Sequence, residues 1–295
     1  MKPRIHGRFA DVGIPIRVRL LSGSGAPAGI GGRDHSHDFT ELLLFHGGSG
    51  VHRVEGHDYP VTAGDIFVVT GDQTHAIVGR QDLQHTEVHF SPARLRLPDA
   101  QLRKLPGYHA LFVLEPRWRR RGRFVGHLHL GPTRLAETMQ IVHGMQREYE
   151  GRAAGYEALL LGRLIELIVF LSREYSRATS GDAQALLRLG EVISVLEREY
   201  RRTWRLADLA AIARMSRSNL AVVFREATGL TPIQYLIHVR LREAMYLLRG
   251  TDRRVTDIAY DVGFSDSNYL ARQFQKAMGT TPMAYRRADI HPDAR

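Results

Sequence analysis

Val255-Thr256-Asp257-Ile258-Ala259-Tyr260-Asp261-Val262-Gly263-Phe264-Ser265-Asp266-Ser267-Asn268-Tyr269-Leu270-Ala271-Arg272-Gln273-Phe274, with Gly279, Pro282 and Tyr285 after it, decides how this 295-residue sequence is read. Val255, Ile258, Ala259 and Val262 recur at helical spacing, and Gly263 marks a tight turn. Ser265 can cap a second helix whose inward positions are Tyr269, Leu270 and Phe274. The small side chain of Ala259 lets the two helices cross closely, as a helix-turn-helix requires. The pattern occurs twice. Leu220-Ala221-Val222-Val223-Phe224 aligns with Leu270-Ala271-Arg272-Gln273-Phe274 at an offset of 50, and Gly229, Pro232 and Tyr235 align with Gly279, Pro282 and Tyr285 in the same register. Asp208-Leu209-Ala210 matches Asp257-Ile258-Ala259 at an offset of 49, so the second copy has one more residue in its turn.

In the upstream copy Leu206, Leu209, Ala210 and Ala213 make the first helix, Ser216 caps the second, and Leu220, Val223 and Phe224 face inward. Between the copies Pro232 opens a long helix with apolar positions Ile233, Leu236, Ile237, Val239, Leu241, Ala244, Leu247 and Leu248. The expectation is two helix-turn-helix units, at about 206–227 and 255–277, joined by a linker helix over 231–249.

An α-helix fits the major groove of DNA, and side chains on its exposed first turns reach the base edges. In the first copy these are Arg217, Ser218, Ala221, Val222 and Arg225; in the second they are Asp266, Ser267, Asn268, Arg272 and Lys276. Arginine can pair bidentately with guanine and asparagine with adenine, whereas Val222 can touch only a thymine methyl. Any one of them could be an ordinary solvated helix residue. Two copies spaced to reach successive grooves speak against that for the set. Charge agrees: the net charge is +10, and from Gln184 onward 18 Lys and Arg face 12 Asp and Glu. A basic domain releases counterions when it meets the phosphate backbone. Codon bias, with 38 arginines and 3 lysines, is the bland account of the same excess.

Residues 255–259, 262–265 and 269–274, with Gly279, Pro282, Tyr285 and Arg286, closely resemble the signature of AraC-type transcription regulators. The match covers about 184–287. It implies two subdomains reading adjacent major-groove segments of double-stranded DNA. Val222 departs from it, since many relatives carry an arginine there equivalent to Arg272, which implies that the first copy reads fewer bases directly.

From about 16 to 90 the pattern changes to short β-rich runs, at 40–45, 50–54, 65–69 and 86–90, between glycine-containing turns, which suggests a sandwich or barrel. Gly29, His35-x-His37, Glu41 and Gly48 are followed by Gly64 and, eleven residues on, His75. His35, His37 and Glu41 lie at even separations and so share one face of a strand. The pattern resembles the two sequence motifs of cupin barrels, with Thr70 and Asp72 standing where cupins usually have Pro and Gly. Carried over, His35, His37, Glu41 and His75 form a metal set for a divalent cation such as Zn, Fe, Mn or Ni. Sensor domains of AraC-type regulators often keep this pattern while binding an organic ligand without metal. The same side chains could then hydrogen-bond a polar ligand or each other. His35-x-His37-Asp38-Phe39-x-Glu41, Leu105-Pro106-Gly107-Tyr108, Leu111-Phe112 and Glu115-Pro116 also look like the rhamnose-responsive members of the family, which implies a sugar or another small polar ligand. Arg33, His37, Glu41 and His75 are the pocket candidates; His46, His52, His57, His85 and His89 are given no role.

Helices are expected over 133–149 and 155–175, the second with an apolar stripe through Leu159, Leu160, Leu164, Leu167, Ile168, Leu171 and Tyr175. Such a stripe usually packs on its own barrel; in relatives a helix here pairs two protomers, which makes a homodimer the expectation. Residues 176–182 read as a flexible linker. The whole is an α+β chain of two domains: a cupin-like jelly-roll barrel over 1–130, a helical connector over 131–183, and an all-α DNA-binding domain over 184–295. Arg17 and Arg19 interrupt the first apolar stretch and Glu166 the longest, so neither a signal peptide nor a membrane span is expected. Zero cysteines excludes disulfides and thiolate chemistry. The chain reads as a cytoplasmic regulator rather than an enzyme, with RNA polymerase a further candidate partner. A metal-dependent cupin enzyme with a DNA-binding tail is the rival reading, weakened by the lack of a separate candidate acid, base or nucleophile.

Overall fold

The computed structural model describes residues 4–5, 13–22, 32–71, 73–120, 126–177 and 181–290. Gly29, Asp72 and residues 178–180 of the expected linker lie outside them. The chain divides into two compact units, Met1–Gly190 and Glu191–Arg295. This is the α+β, two-domain arrangement expected, although the division falls within a helix seven residues beyond the boundary expected at 183/184.

The first unit holds strands β1 (Arg4–Ile5), β2 (Ile16–Ser22), β3 (Ser36–His37), β4 (Thr40–Val54), β5 (His57–Thr62), β6 (Asp65–Thr70), β7 (His75–Phe90) and β8 (Leu128–His129). All but β1 and β3 form one antiparallel sheet in the order β2-β7-β4-β6-β8, with β5 on the far half of β4. The runs expected at 40–45 and 50–54 are one strand. Paired along its length with β7, it bends where the register slips between Phe45 and Val51. Gly48 makes this bend possible: its φ is +68°, and a Cβ there would lie 2.2 Å from the Asp82 carbonyl oxygen. Alternation then sorts the side chains. Leu43, Phe45, Val54, Tyr59, Val61, Phe67, Val69, Ile77 and Leu83 pack together as one buried cluster, and Glu41 lies on the same face of β4 as Leu43 and Phe45.

Short helices α1 (Asp99–Leu102), α2 (Pro106–Tyr108) and α3 (Glu115–Arg120) follow the sheet, the last two joined by a π-helical turn, His109–Leu114. Then come α4 (Pro132–Gly151) and α5 (Tyr156–Tyr175), within three residues of the expected helices. Of the α5 stripe, Leu160, Leu164, Leu167, Ile168, Leu171 and Tyr175 are buried within the chain, whereas Leu159 is 56% exposed. Gly181 and Asp182, expected in the linker, open the helix α6 (Gly181–Arg198) instead.

The second unit continues with α7 (Leu206–Ala213), α8 (Arg217–Thr228), α9 (Pro232–Gly250), α10 (Val255–Asp261), α11 (Ser267–Met278) and α12 (Pro282–Ile290). The repeat is visible in the packing: Phe224 meets Tyr235 with ring centroids 5.7 Å apart, and Phe274 meets Tyr285 at 5.3 Å. The two turns differ. Arg214 adopts the left-handed conformation in the first, whereas Gly263, at φ +92°, lies so close to Arg201 that a Cβ would stand 2.8 Å from its carbonyl oxygen. Arg240 ties the subdomain together from inside, its Nε donating to the Tyr200 carbonyl at 2.7 Å and Nη2 to that of Arg202 at 2.9 Å. Arg240→Met keeps the stem but leaves both carbonyls without these donors. It is expected to destabilise this unit by about 2 kcal/mol, measured by urea unfolding on Trp204 fluorescence in a Trp118→Phe background. No helix among the described residues is long and apolar enough to cross a membrane.

Candidate functional site

In the second unit the expected recognition residues lie on two helix faces built alike. Ser216 caps α8, its Oγ accepting from the Asn219 amide at 3.2 Å, as the sequence predicts. Arg217, Ser218, Val222 and Arg225 are exposed and Ala221 is half-buried. Val222 is 57% exposed, an apolar side chain in the middle of an otherwise polar face. On α11, Asn268, Arg272 and Lys276 are exposed, and Ser267 is half-buried. The Arg272 guanidinium sits 5.7 Å from the centre of the Tyr269 ring, which limits its sweep.

One capping assignment is corrected. Asp266, not Ser265, caps α11: its Oδ1 accepts from the Tyr269 amide at 2.6 Å, while Ser265 Oγ donates to its Oδ2 at 3.1 Å. Its carboxyl is held below its ordinary value chiefly by that amide bond. A carboxylate outperforms a hydroxyl here because it accepts a charge-assisted bond at the positive end of the helix. Asp266, expected as a base contact, is thereby committed to the helix start.

In the first unit three of the expected ligands converge. His75 Nε2 lies 3.1 Å and His37 Nε2 3.4 Å from Glu41 Oε2. All three residues are buried, and these three atoms make no hydrogen bond. Each imidazole is oriented from behind: His37 Nδ1 donates to the Phe39 carbonyl at 2.8 Å, and His75 Nδ1 is 3.3 Å from His52 Nε2. With Nδ1 donating, a neutral His37 ring turns its Nε2 lone pair inward, where a cation would take it. The donor set fits a divalent cation, since three otherwise orphaned buried atoms of ligand type lie within 4.8 Å of one another.

His35 does not join them. It sits before β3 rather than on the strand of Glu41, its Nδ1 pairs with the Arg33 carbonyl at 2.9 Å, and its ring lies 4.4 Å from that of His75. Even spacing put His35, His37 and Glu41 on one strand face, but His35 precedes β3 and its ring is turned to the Arg33 carbonyl. Arg33 is exposed and meets His35 through its backbone only in that contact.

The sequence reading missed the rest of the cluster. His52, His85 and His89, left without a role, are buried, and with Glu87 the last two line β7 on the face of Glu41. His89 Nε2 bonds Glu41 Oε1 at 2.8 Å. Burial works to lower the His89 pKa, but Glu41 and Glu87 overcome it and push it up to about 9. Burial likewise opposes charge on Glu41, but His75, His37 and His89 hold its carboxyl well below the usual range. His52 is driven well below the usual histidine value by burial first and His75 second. The signal was present in His85-x-Glu87-x-His89, a period-two run of titratable residues.

Residues 28–168 match the AraC-like ligand binding domain family, and 209–288 match a helix-turn-helix domain family. The chain is 28% identical over 263 residues to the HTH-type transcriptional activator RhaR of Escherichia coli K12, covering 88% of this chain and 89% of that one. The chain belongs to the AraC-type transcription regulators. As an AraC-type protein it is a DNA-binding transcription regulator with a ligand-binding domain. Among solved structures it is similar to the DNA-binding domain of AdpA in complex with a target DNA, at 34% identity and TM-score 0.34, covering 37% of this chain and 97% of that one. It is similar also to ToxT from Vibrio cholerae, at 14% identity and TM-score 0.33, covering 92% of this chain and 97% of that one.

Proposed function

We propose that this AraC-type regulator senses a small polar ligand, of the sugar class, in the β domain, and that a divalent cation held by His37, Glu41 and His75 takes part in binding it. The convergence of three buried donor atoms without hydrogen bonds on one point carries this reading. When bound, the cation would supply positions for ligand oxygens. His52 and the Phe39 carbonyl set the two imidazoles, and the surrounding cluster excludes water. Ligand occupancy then biases the placement of α8 and α11 on DNA. The protein acts in the cytoplasm as a homodimer and works through RNA polymerase, a reading supported by its similarity to a relative named as a transcriptional activator. Dimerisation would add avidity on repeated half-sites.

On α8, Arg217, Ser218 and Arg225 approach the DNA and Val222 meets a thymine methyl; on α11, Asn268 and Arg272 read bases while Ser267 and Lys276 meet the backbone. The test is selection of bound sites from a random DNA pool at physiological salt, with and without a panel of sugars. Two reads about one helical turn apart are expected, together with a sugar-dependent change in affinity. Arg272→Ala is expected to weaken the selected site roughly 5- to 150-fold and relax preference at one base pair. An equal loss on random DNA would assign Arg272 to phosphate alone. Turnover of a sugar by the metal-loaded protein would instead favour the enzyme reading.

A further inference from the structure

The β domain holds a second set of inward donors beyond His37 and His75. Glu41 divides its two oxygens: Oε2 faces His37 and His75, while Oε1 lies 2.8 Å from His89 Nε2, itself 3.4 Å from Glu87 Oε2. Two donors bound to one ion at about 2.1 Å, spread between a right angle and a tetrahedral one, stand roughly 3.0 to 3.4 Å apart; the His89–Glu87 contact lies in that range, and the shorter His89–Glu41 contact has to open slightly to admit an ion. One hydrogen on His89 Nε2 cannot serve two carboxylates well, and the longer contact shows it. Behind Glu87, His85 is 1% exposed and neither ring nitrogen makes a hydrogen bond, although its Nε2 is 3.5 Å from Glu87 Oε1. That is the place of a residue that orients a liganding carboxylate from outside the coordination sphere. From the other side Arg19 reaches Glu87 Oε2 at 3.0 Å, on a side chain 45% exposed, so positive charge is already accepted there and its carrier can withdraw into solvent.

We propose that Glu41, Glu87 and His89 form a second divalent-cation site, with Glu41 bridging two ions and the His89 Nε2 proton released to solvent as the ion binds. All donor atoms of this group lie within 4.8 Å of one another, and two of its three residues are buried. A carboxylate bridge is how paired ions about 3.5 to 4 Å apart are commonly held. The inference rests on the reading that His37, Glu41 and His75 hold the first ion, and the two can fail separately.

The test is equilibrium dialysis of chelator-stripped full-length protein against low-micromolar Zn²⁺, with bound metal counted per chain and folding checked by circular dichroism. Two ions are expected for the parent protein, one for Glu87→Gln or His89→Ala, and one for His37→Ala. Arg19→Ala is expected to retain two and to bind the weaker one at least threefold more tightly, since a competing cation is gone. One ion in the parent, kept by Glu87→Gln and lost by His37→Ala, overturns the second site and leaves the first. One ion kept by His37→Ala and lost by Glu87→Gln supports the second site and removes the first. No bound ion overturns both.

Discussion

Phe274→Ala is expected to cost about 3 to 5 kcal/mol and to take the second recognition helix off the DNA. Phe274 is fully buried, packed with Leu241, Ala244, Leu248, Ile258, Ala259, Val262, Phe264 and Leu270, and its ring lies edge-on to Tyr285. Truncation removes the transfer free energy of the ring and leaves a cavity that three helices cannot close without moving. Movement is confined on one side, because Gly263 is pressed against the Arg201 backbone and Arg286 Nη2 donates to the Arg253 carbonyl at 2.7 Å. The α8 half has its own core around Phe224 and should persist. Footprinting on the selected site should therefore show protection shrinking to one half-site, while differential scanning calorimetry shows the lowered transition. An intact two-half footprint at parental affinity would show that α11 does not depend on this core for its position.

The same residues explain why the DNA-binding half was legible in the sequence. Helix-turn-helix units are local: the 3.6-residue period, a glycine or proline at each break and a repeat at constant offset all lie within tens of residues. The linker helix expected over 231–249 accordingly appears as Pro232–Gly250. What failed was finer than the period. Ser265 and Asp266 are adjacent and both can cap, so only the backbone path into α11 decides between them. The β domain is the opposite case. Glu41 and His89 are 48 residues apart and meet because β4 pairs with β7, a register that no local signal states. Motif spacing found His37, Glu41 and His75 because a family resemblance covers them. It also admitted His35, whose ring is turned to the Arg33 carbonyl ahead of β3, and passed over His85, Glu87 and His89, whose strand is 16 residues long and interrupted by glycine. Arg33, the fourth pocket candidate, stands exposed ahead of β3, where no period says which way a side chain points.

Glu41→Ala should be the most damaging change in the β domain even before metal is added. The carboxylate is 4% exposed and stands among His37, His75 and His89, with His52 behind His75. Removing one partner from a buried, hydrogen-bonded ion pair costs about 3 to 5 kcal/mol, because His89 is left charged beside Glu87 alone or must give up its proton. Glu41→Gln keeps the volume and should recover part of the loss, since an amide oxygen can still accept from His89. The difference from the parent should also depend on pH, with two signs. Glu41 is held well below its ordinary pKa, so its contribution is complete above about 4.5 and declines as the pH falls below that value. His89 is raised to about 9, so the part carried by its imidazolium is complete below about 6.5 and is lost as the pH rises through 9. Urea unfolding in the presence of chelator, followed on Trp118 in a Trp204→Phe background, should therefore show the gap between parent and Glu41→Ala widest between about pH 4.5 and 6.5. A gap that is flat from pH 4 to 9 would mean that Glu41 stabilises the β domain by packing rather than by charge. The imidazole cluster would then be neutral throughout, and free to be organised by a cation instead.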